Sequence, residues 1–360
     1  MPASLRAEGE WEITPQSQHA ADLGLQWLAH NQGPNGNWRS NNLGLVGMGV
    51  LAFLSAGYTD HGRYGSVVRR GLDFILANAK PSGLLNITEG QHDMYNHGLA
   101  TFVLTQAYGM VDDRRIGPVL DKALKLICDV QCDDGGWDYR AVRLRQGHDC
   151  SLAVMQAKAL RGAMDEGFDI PPHTVEMAIA AVRRYYWISG PPDGKGAQYG
   201  SDPLAQSPGR FTYQGNQGNS TTAMAAAGVV CLQEFGQYGD FRILRSLDAV
   251  IADIHRECKP KRGVLPLDPY TMYYVAQGLY QVGGQRWRQN YPFLRDAIVK
   301  SQNTNPNPAD LGSWESGKWV TGPDSRLWGT AVGVFTLSIP NRYLPLLQQV
   351  PPETLRAPTP

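Results

Sequence analysis

Two adjacent carboxylates beside a glutamine, two glycines and a tryptophan form a conspicuous cluster in the stretch "DVQCDDGGWDY", where Gln131, Asp133, Asp134 and Trp137 lie close together. Neighbouring acids can serve as acid and base when their surroundings push their proton affinities apart. The same residues can equally build a turn, because acids and glycines suit chain reversals and a tryptophan can pack over one. Recurrence decides between the two. "GLQWLAHNQGPNGNW", "ALKLICDVQCDDGGW" and "AIVKSQNTNPNPADLGSW" each run from an apolar helical pattern through Gln and a polar turn to Gly and Trp. Gln32, Gln131 and Gln302 precede Trp38, Trp137 and Trp314. A device used three times is repeated structure, and Asp133 and Asp134 are read as turn acids. The Gln amide is expected to tie off carbonyls left open at the end of its own helix, with the Trp ring packed over it.

The elements around these turns come in pairs. After each turn follows a helix rich in small and apolar residues, "LGLVGMGVLAFLSAG", "CSLAVMQAKAL" or "WGTAVGVFTLS". Three more pairs keep the outline without the Gln and Trp: "VVRRGLDFILANA" with "NHGLATFVLTQAYG", "VEMAIAAVRRYYWI" with "NSTTAMAAAGVVCLQEFG", and "FRILRSLDAVIADIH" with "YTMYYVAQGLYQVGG". The period is about fifty residues, which marks a repeat architecture. First helices carry charge on one face and second helices almost none, so one set faces solvent and the other lies inside. Six such hairpins closing on themselves predict an all-α fold, an (α/α)6 toroid with an inner barrel, an outer ring and a pocket at one mouth. The toroid is expected over residues 14–347, with an N-terminal extension at 1–13 and a tail at 348–360.

Composition limits the partners. Hydrophobic residues make up 42% of the 360 and charged ones 18%, enough apolar surface for a substantial core. Lys plus Arg equal Asp plus Glu at 33 each, so no long-range field gathers nucleic acid, and Lys259, Lys261 and Arg262 read as a solvated loop. The uncharged run Asn41 to Tyr58 is too short in its apolar core for a membrane span and reads as a buried helix. Five scattered cysteines point to reduced thiols, with Cys128 and Cys132 as packing residues. The N-terminal stretch has no apolar core of a signal peptide, so a soluble protein is expected.

These repeats, with their Gln, Gly and Trp endings, resemble those of squalene-hopene cyclases and of protein prenyltransferase β subunits. "MYNHGLATFVLTQAYGM", "GHDCSLAVMQAKALRGA" and "YYVAQGLYQVGGQRWRQNYPFLRDAIVKSQ" resemble the bacterial prenyltransferase and squalene oxidase repeat proteins. The resemblance implies an isoprenoid-handling protein, leaning towards an enzyme, that takes a hydrophobic small molecule at the mouth where the inner helices begin. Convergent helix N-termini there would suit a diphosphate. The corresponding residues are Tyr95 and His97; His148, Asp149 and Cys150; Asn219 to Thr222; Tyr270, Tyr273 and Tyr274; and Arg326 with Trp328.

Two chemistries follow from the resemblance. A cyclase-like site would use Asp149 as the proton donor with His148 and His97 beside it, though "QGHDCSL" holds one Asp where the family has three. The bland reading of Asp149 is a helix N-cap. A prenyltransferase-like site would hold zinc on Asp149, Cys150 and His97, or with His148 in place of His97, although the family separates its Asp and Cys by one residue. His97 could equally be a satisfied structural histidine. Tyr95, Phe211, Tyr213, Tyr273, Tyr274 and Trp328 would line the ligand cavity or simply fill the core. The long Gly- and Pro-rich loop from Ile188 to Asn219 is predicted to fold over the mouth. A partner subunit, as prenyltransferase β subunits have, is a further implication. The other readings are a non-catalytic toroid binding a lipid, peptide or protein, and a polysaccharide-processing enzyme.

Overall fold

The computed structural model describes residues 11–88, 92–216, 220–317 and 320–348. Residues 1–10 of the N-terminal extension, Asn219, and 349–360 of the tail lie outside them. Twelve long helices alternate between two layers: α1 (Pro15–Asn31), α2 (Leu43–Ser55), α3 (Gly65–Ala77), α4 (Asp93–Tyr108), α5 (Ile116–Asp129), α6 (Cys150–Asp165), α7 (Pro172–Arg184), α8 (Thr222–Glu234), α9 (Phe241–Glu257), α10 (Pro269–Val282), α11 (Gly284–Ser301) and α12 (Gly322–Ser338). The even-numbered helices pack each on the next, and α12 packs back on α2, so the inner barrel is closed. The odd-numbered helices surround it. Sequence explains the division: every residue of α2 is buried, as an all-apolar helix requires, whereas α3 buries Val67, Val68, Leu72 and Ile75 and turns its arginines outward.

The Gln–Gly–Trp turns join neighbouring outer helices. Gln32 Nε2 donates to the carbonyls of Gly36 and, in α3, Val67 at 2.9 Å. Gln131 does the same to Gly135 and, in α7, Thr174 at 2.9 Å. Gln302 reaches Gly312 and, in α1, Ala20 at 2.8 Å, so the last outer helix is joined to the first by the same device. Each indole N–H donates to the carbonyl four residues before the Gln: Trp38 to Leu28, Trp137 to Ile127 and Trp314 to Ile298. The expectation for the Gln is thereby corrected, because its amide bonds the next outer helix and its own turn while the Trp serves the open carbonyl of its own helix. Glycine is required at the turn: Gly135 has φ +87° and a Cβ there would sit 2.1 Å from the Met177 carbonyl oxygen. Asp133 pairs with Arg143, and Asp134 accepts from the Gly136 and Gly147 amides, in keeping with turn acids.

The long loop departs from expectation. It forms a small antiparallel hairpin, β1 (Tyr186–Ile188) and β2 (Gly209–Phe211), that packs against α8 and the outer helix α9 instead of covering the mouth. Arg245 of α9 holds it there. Its guanidinium bonds both Asp193 oxygens at 2.7 and 3.0 Å, donates to the Ala205 carbonyl, and lies 3.9 Å over the Tyr199 ring. Phe211 is buried against Gly228, so it packs core and lines no cavity. Among the described residues of the loop, the returning limb at Tyr213 reaches the mouth. The extension is not wholly outside the fold either, since the buried Glu12 accepts from Trp287 Nε1 at 2.6 Å. No helix among the described residues is long and apolar enough to cross a membrane.

Candidate functional site

Short polar residues start the inner helices and gather at one mouth. The side chains of Asn42, Asp149, Thr221 and Asp268 each accept from a backbone amide in the first turn of α2, α6, α8 and α10. Asp149 does more than cap. Its Oδ1 accepts from the Ser151 amide at 2.9 Å and from the Ser151 hydroxyl, while Oδ2 accepts from the Tyr139 hydroxyl at 3.0 Å and lies 2.9 Å from His148 Nδ1. Each carboxylate oxygen thus has two close polar neighbours. The carboxylate is buried, but the His148 side chain is 47% exposed, and its Nε2 has no hydrogen-bond partner among the described residues. That arrangement orients an imidazole and leaves one ring nitrogen open.

Aromatic rings surround this pair. Tyr139 stacks on Tyr95 with centroids 5.7 Å apart, Tyr95 meets Tyr270 edge-on at 6.2 Å, and Tyr270 meets Trp328 at 5.2 Å. His92 and His148 contact the Tyr139 ring at 5.5 and 4.6 Å. The Tyr213 carbonyl accepts from the Cys150 amide at 2.9 Å, which brings its chain limb to the same rim. Burial, then neighbouring Tyr270, pushes the Tyr95 phenol well up; burial and then Asp149 raise Tyr139 and Tyr213. Burial and Asp268 push Tyr270 up to about 12. At neutral pH the rim phenols are therefore protonated donors.

The remaining expected residues lie elsewhere or are already engaged. His97 is fully buried: Nδ1 accepts from the Leu85 amide at 3.1 Å and Nε2 faces the Ala123 carbonyl of α5 at 3.1 Å. It ties α4 to α5 and takes no part in the rim, which corrects its catalytic and metal-binding assignments. Burial holds its pKa down to about 4. Tyr273, Tyr274 and Trp328 are 0, 1 and 1% exposed, so they fill the barrel under the rim and line no open cavity. Arg326 is clamped by Asp310, by Glu315 at 3.1 Å and by the Ala309 carbonyl, leaving it poorly placed to bind a substrate. Thr222 donates to Asp253 and Glu257 at the start of α8.

The residues do not fit zinc. Among the described residues no three His, Cys, Asp or Glu side chains come together to hold a metal ion. The reason is directional: Asp149 faces the rim, the buried Cys150 thiol pairs with Cys231 in the core, and His97 faces the outer layer. Sequence reasoning passed over Tyr139, His92, Ser151 and Asp268. The signal for them was position, since each lies in or next to the loop that enters an inner helix.

No family model and no curated protein matches the chain. Solved structures do match. A D-mannose isomerase superposes with TM-score 0.56 and 8% identity over 91% of this chain and 98% of that one. A novel alpha-amylase from Clostridium perfringens gives 0.53 and 9% over 89% and 97%. A type II terpene cyclase from Scytonema in complex with geranylgeranyl dihydroxybenzoate gives 0.48 and 13% over 91% and 98%. By fold the chain is an α/α toroid, an architecture its structural neighbours use for enzymes of several kinds.

Proposed function

We propose that the protein is an isoprenoid-handling toroid that lays a hydrophobic ligand across the rim, with His148 as a general base oriented by Asp149. The observation that carries this reading is the run of rim rings, Tyr139, Tyr95 and Tyr270, backed from below by the buried Trp328, beside an exposed imidazole whose other nitrogen is held by a buried carboxylate. Ring faces offer apolar contact to a prenyl chain and attract developing positive charge. Asp149 holds Nδ1 of His148 and leaves Nε2 facing the open rim, an arrangement suited to proton removal by the imidazole. The filled barrel limits the ligand to the rim itself.

Farnesol binding followed by tyrosine and tryptophan fluorescence tests the reading. Tyr95→Ala is expected to weaken binding about tenfold, or about 1.4 kcal/mol, while His148→Gln leaves binding intact and abolishes turnover. Equal affinity of the parent and Tyr95→Ala, or no binding at all, would overturn it. A second reading rests on the donors and acceptors of the same rim: phenols of Tyr95 and Tyr270 beside the Asp268 carboxylate also suit a sugar ring. Binding of mannose or maltose in preference to farnesol would favour it.

A further inference from the structure

Halfway down the barrel α6, α8 and α10 bring a charged pair together out of reach of water. Lys158 Nζ lies 3.1 Å from Glu234 Oε1 and 2.5 Å from Gln277 Oε1, and both charged side chains are 1% exposed. The ammonium sits over the Phe102 ring at 4.3 Å and the Tyr273 ring at 5.5 Å. The Tyr273 hydroxyl is buried beside Gln277. From the rim this cluster is sealed by Tyr273, Tyr274 and Trp328.

The other end is closed differently. After α12 the chain turns through Ile339–Asn341, takes a left-handed conformation at Arg342 (φ 56°), and crosses the barrel end as the short helix Pro345–Gln348 packed against α6. Hydrogen bonds from the Leu346 amide to Gln106 Oε1 at 3.1 Å and from the Tyr280 hydroxyl to the Leu347 carbonyl at 3.0 Å fasten this strap. Leu344, Leu346 and Leu347 supply its buried surface. Gln106 packs beside Gly162, one helical turn below Lys158, and Tyr280 lies about one turn below Gln277. A non-glycine residue in left-handed backbone immediately before the strap is a conformation held by its surroundings.

We propose that residues Leu344–Gln348 form a displaceable plug over a second entrance to the barrel, and that its release exposes Lys158 as an amine for a carbonyl-bearing ligand. Burial already lowers the proton affinity of Lys158, with Glu234 opposing in part. Glu234 is placed to take the ammonium proton. The free amine nitrogen then bonds the carbonyl carbon, the carbon–oxygen double bond gives way to carbon–nitrogen, and the oxygen leaves as water with protons supplied by the amine and Glu234. No oxidant or reductant is consumed. The claim is independent of the rim, so Tyr95→Ala has no bearing on it.

The test uses the full chain with butyraldehyde and cyanoborohydride, reading each lysine by peptide mass spectrometry. In the parent protein the exposed Lys125, Lys259 and Lys261 are modified and Lys158 is not. Leu346→Asp, which places a charge in the strap's buried face, should raise modification of Lys158 roughly tenfold or more while helix content is retained. Tyr280→Phe, which removes one fastening, should produce a smaller rise. An unchanged Lys158 rate in Tyr280→Phe, or collapse of the barrel in Leu346→Asp, would show the strap to be an integral stave and overturn the proposal.

Discussion

The outer joints and the rim draw on the same residue types and put them to opposite use. At the three Gln–Gly–Trp joints both the amide and the indole are paired inside the fold, as when Gln131 bonds Gly135 and Thr174 while Trp137 bonds Ile127. At the rim Asp149 is buried but its partner His148 stays half exposed with one nitrogen open. The joints recur around the ring; the His148–Asp149 pair occurs at one inner-helix start. Repetition with amide and indole N–H groups paired marks architecture, whereas an asymmetric rim group with an open nitrogen beside a run of rings marks where chemistry can occur.

That contrast can be broken by measurement. Trp137→Ala should have the largest effect, removing a fully buried ring and its hydrogen bond at a cost of about 3–5 kcal/mol in urea unfolding. His97 gives the next effect, through pH. Its folded pKa of about 4 lies below the unfolded value near 6.5, so the unfolded chain binds the proton first. Its stabilising contribution is complete above the unfolded value, is lost as pH falls from about 6.5 to about 4, and amounts to about 3 kcal/mol at most. His97→Gln should flatten the slope of unfolding free energy between these pH values, and an unchanged slope would return His97 to the list of candidate reactive groups. The smallest effect belongs to the rim: Tyr139→Phe should cost about 0.5–1.5 kcal/mol in stability while altering the pH profile of ligand turnover through His148. Should that rim substitution unfold the protein as severely as Trp137→Ala, the distinction between the two regions fails.

Much of the ring was legible because its signals are local. Apolar, small-residue second helices such as α2 announce burial, and the order Gln, Gly, Trp repeats within single turns. The rest depends on partners distant in sequence. Arg245 draws the long loop onto α9 through Asp193 and Ala205, contacts that no feature of the loop itself reveals. Tyr273 reads the same whether it lines a cavity or fills one, and only packing distinguishes the two. His97 bonds Leu85 and Ala123, so its role follows from tertiary geometry that its place near an inner-helix start concealed.

The joint between α11 and α1 carries a consequence for evolution and engineering. Gln302 binds Ala20 as Gln131 binds Thr174, and Arg342 reaches Glu12 at 3.2 Å, so the last outer helix meets the first through the same joint as α5 meets α7. Topologically the ring has no privileged starting point. A circularly permuted chain reopened in the hairpin loop near Gly194 is expected to retain every one of the joints described.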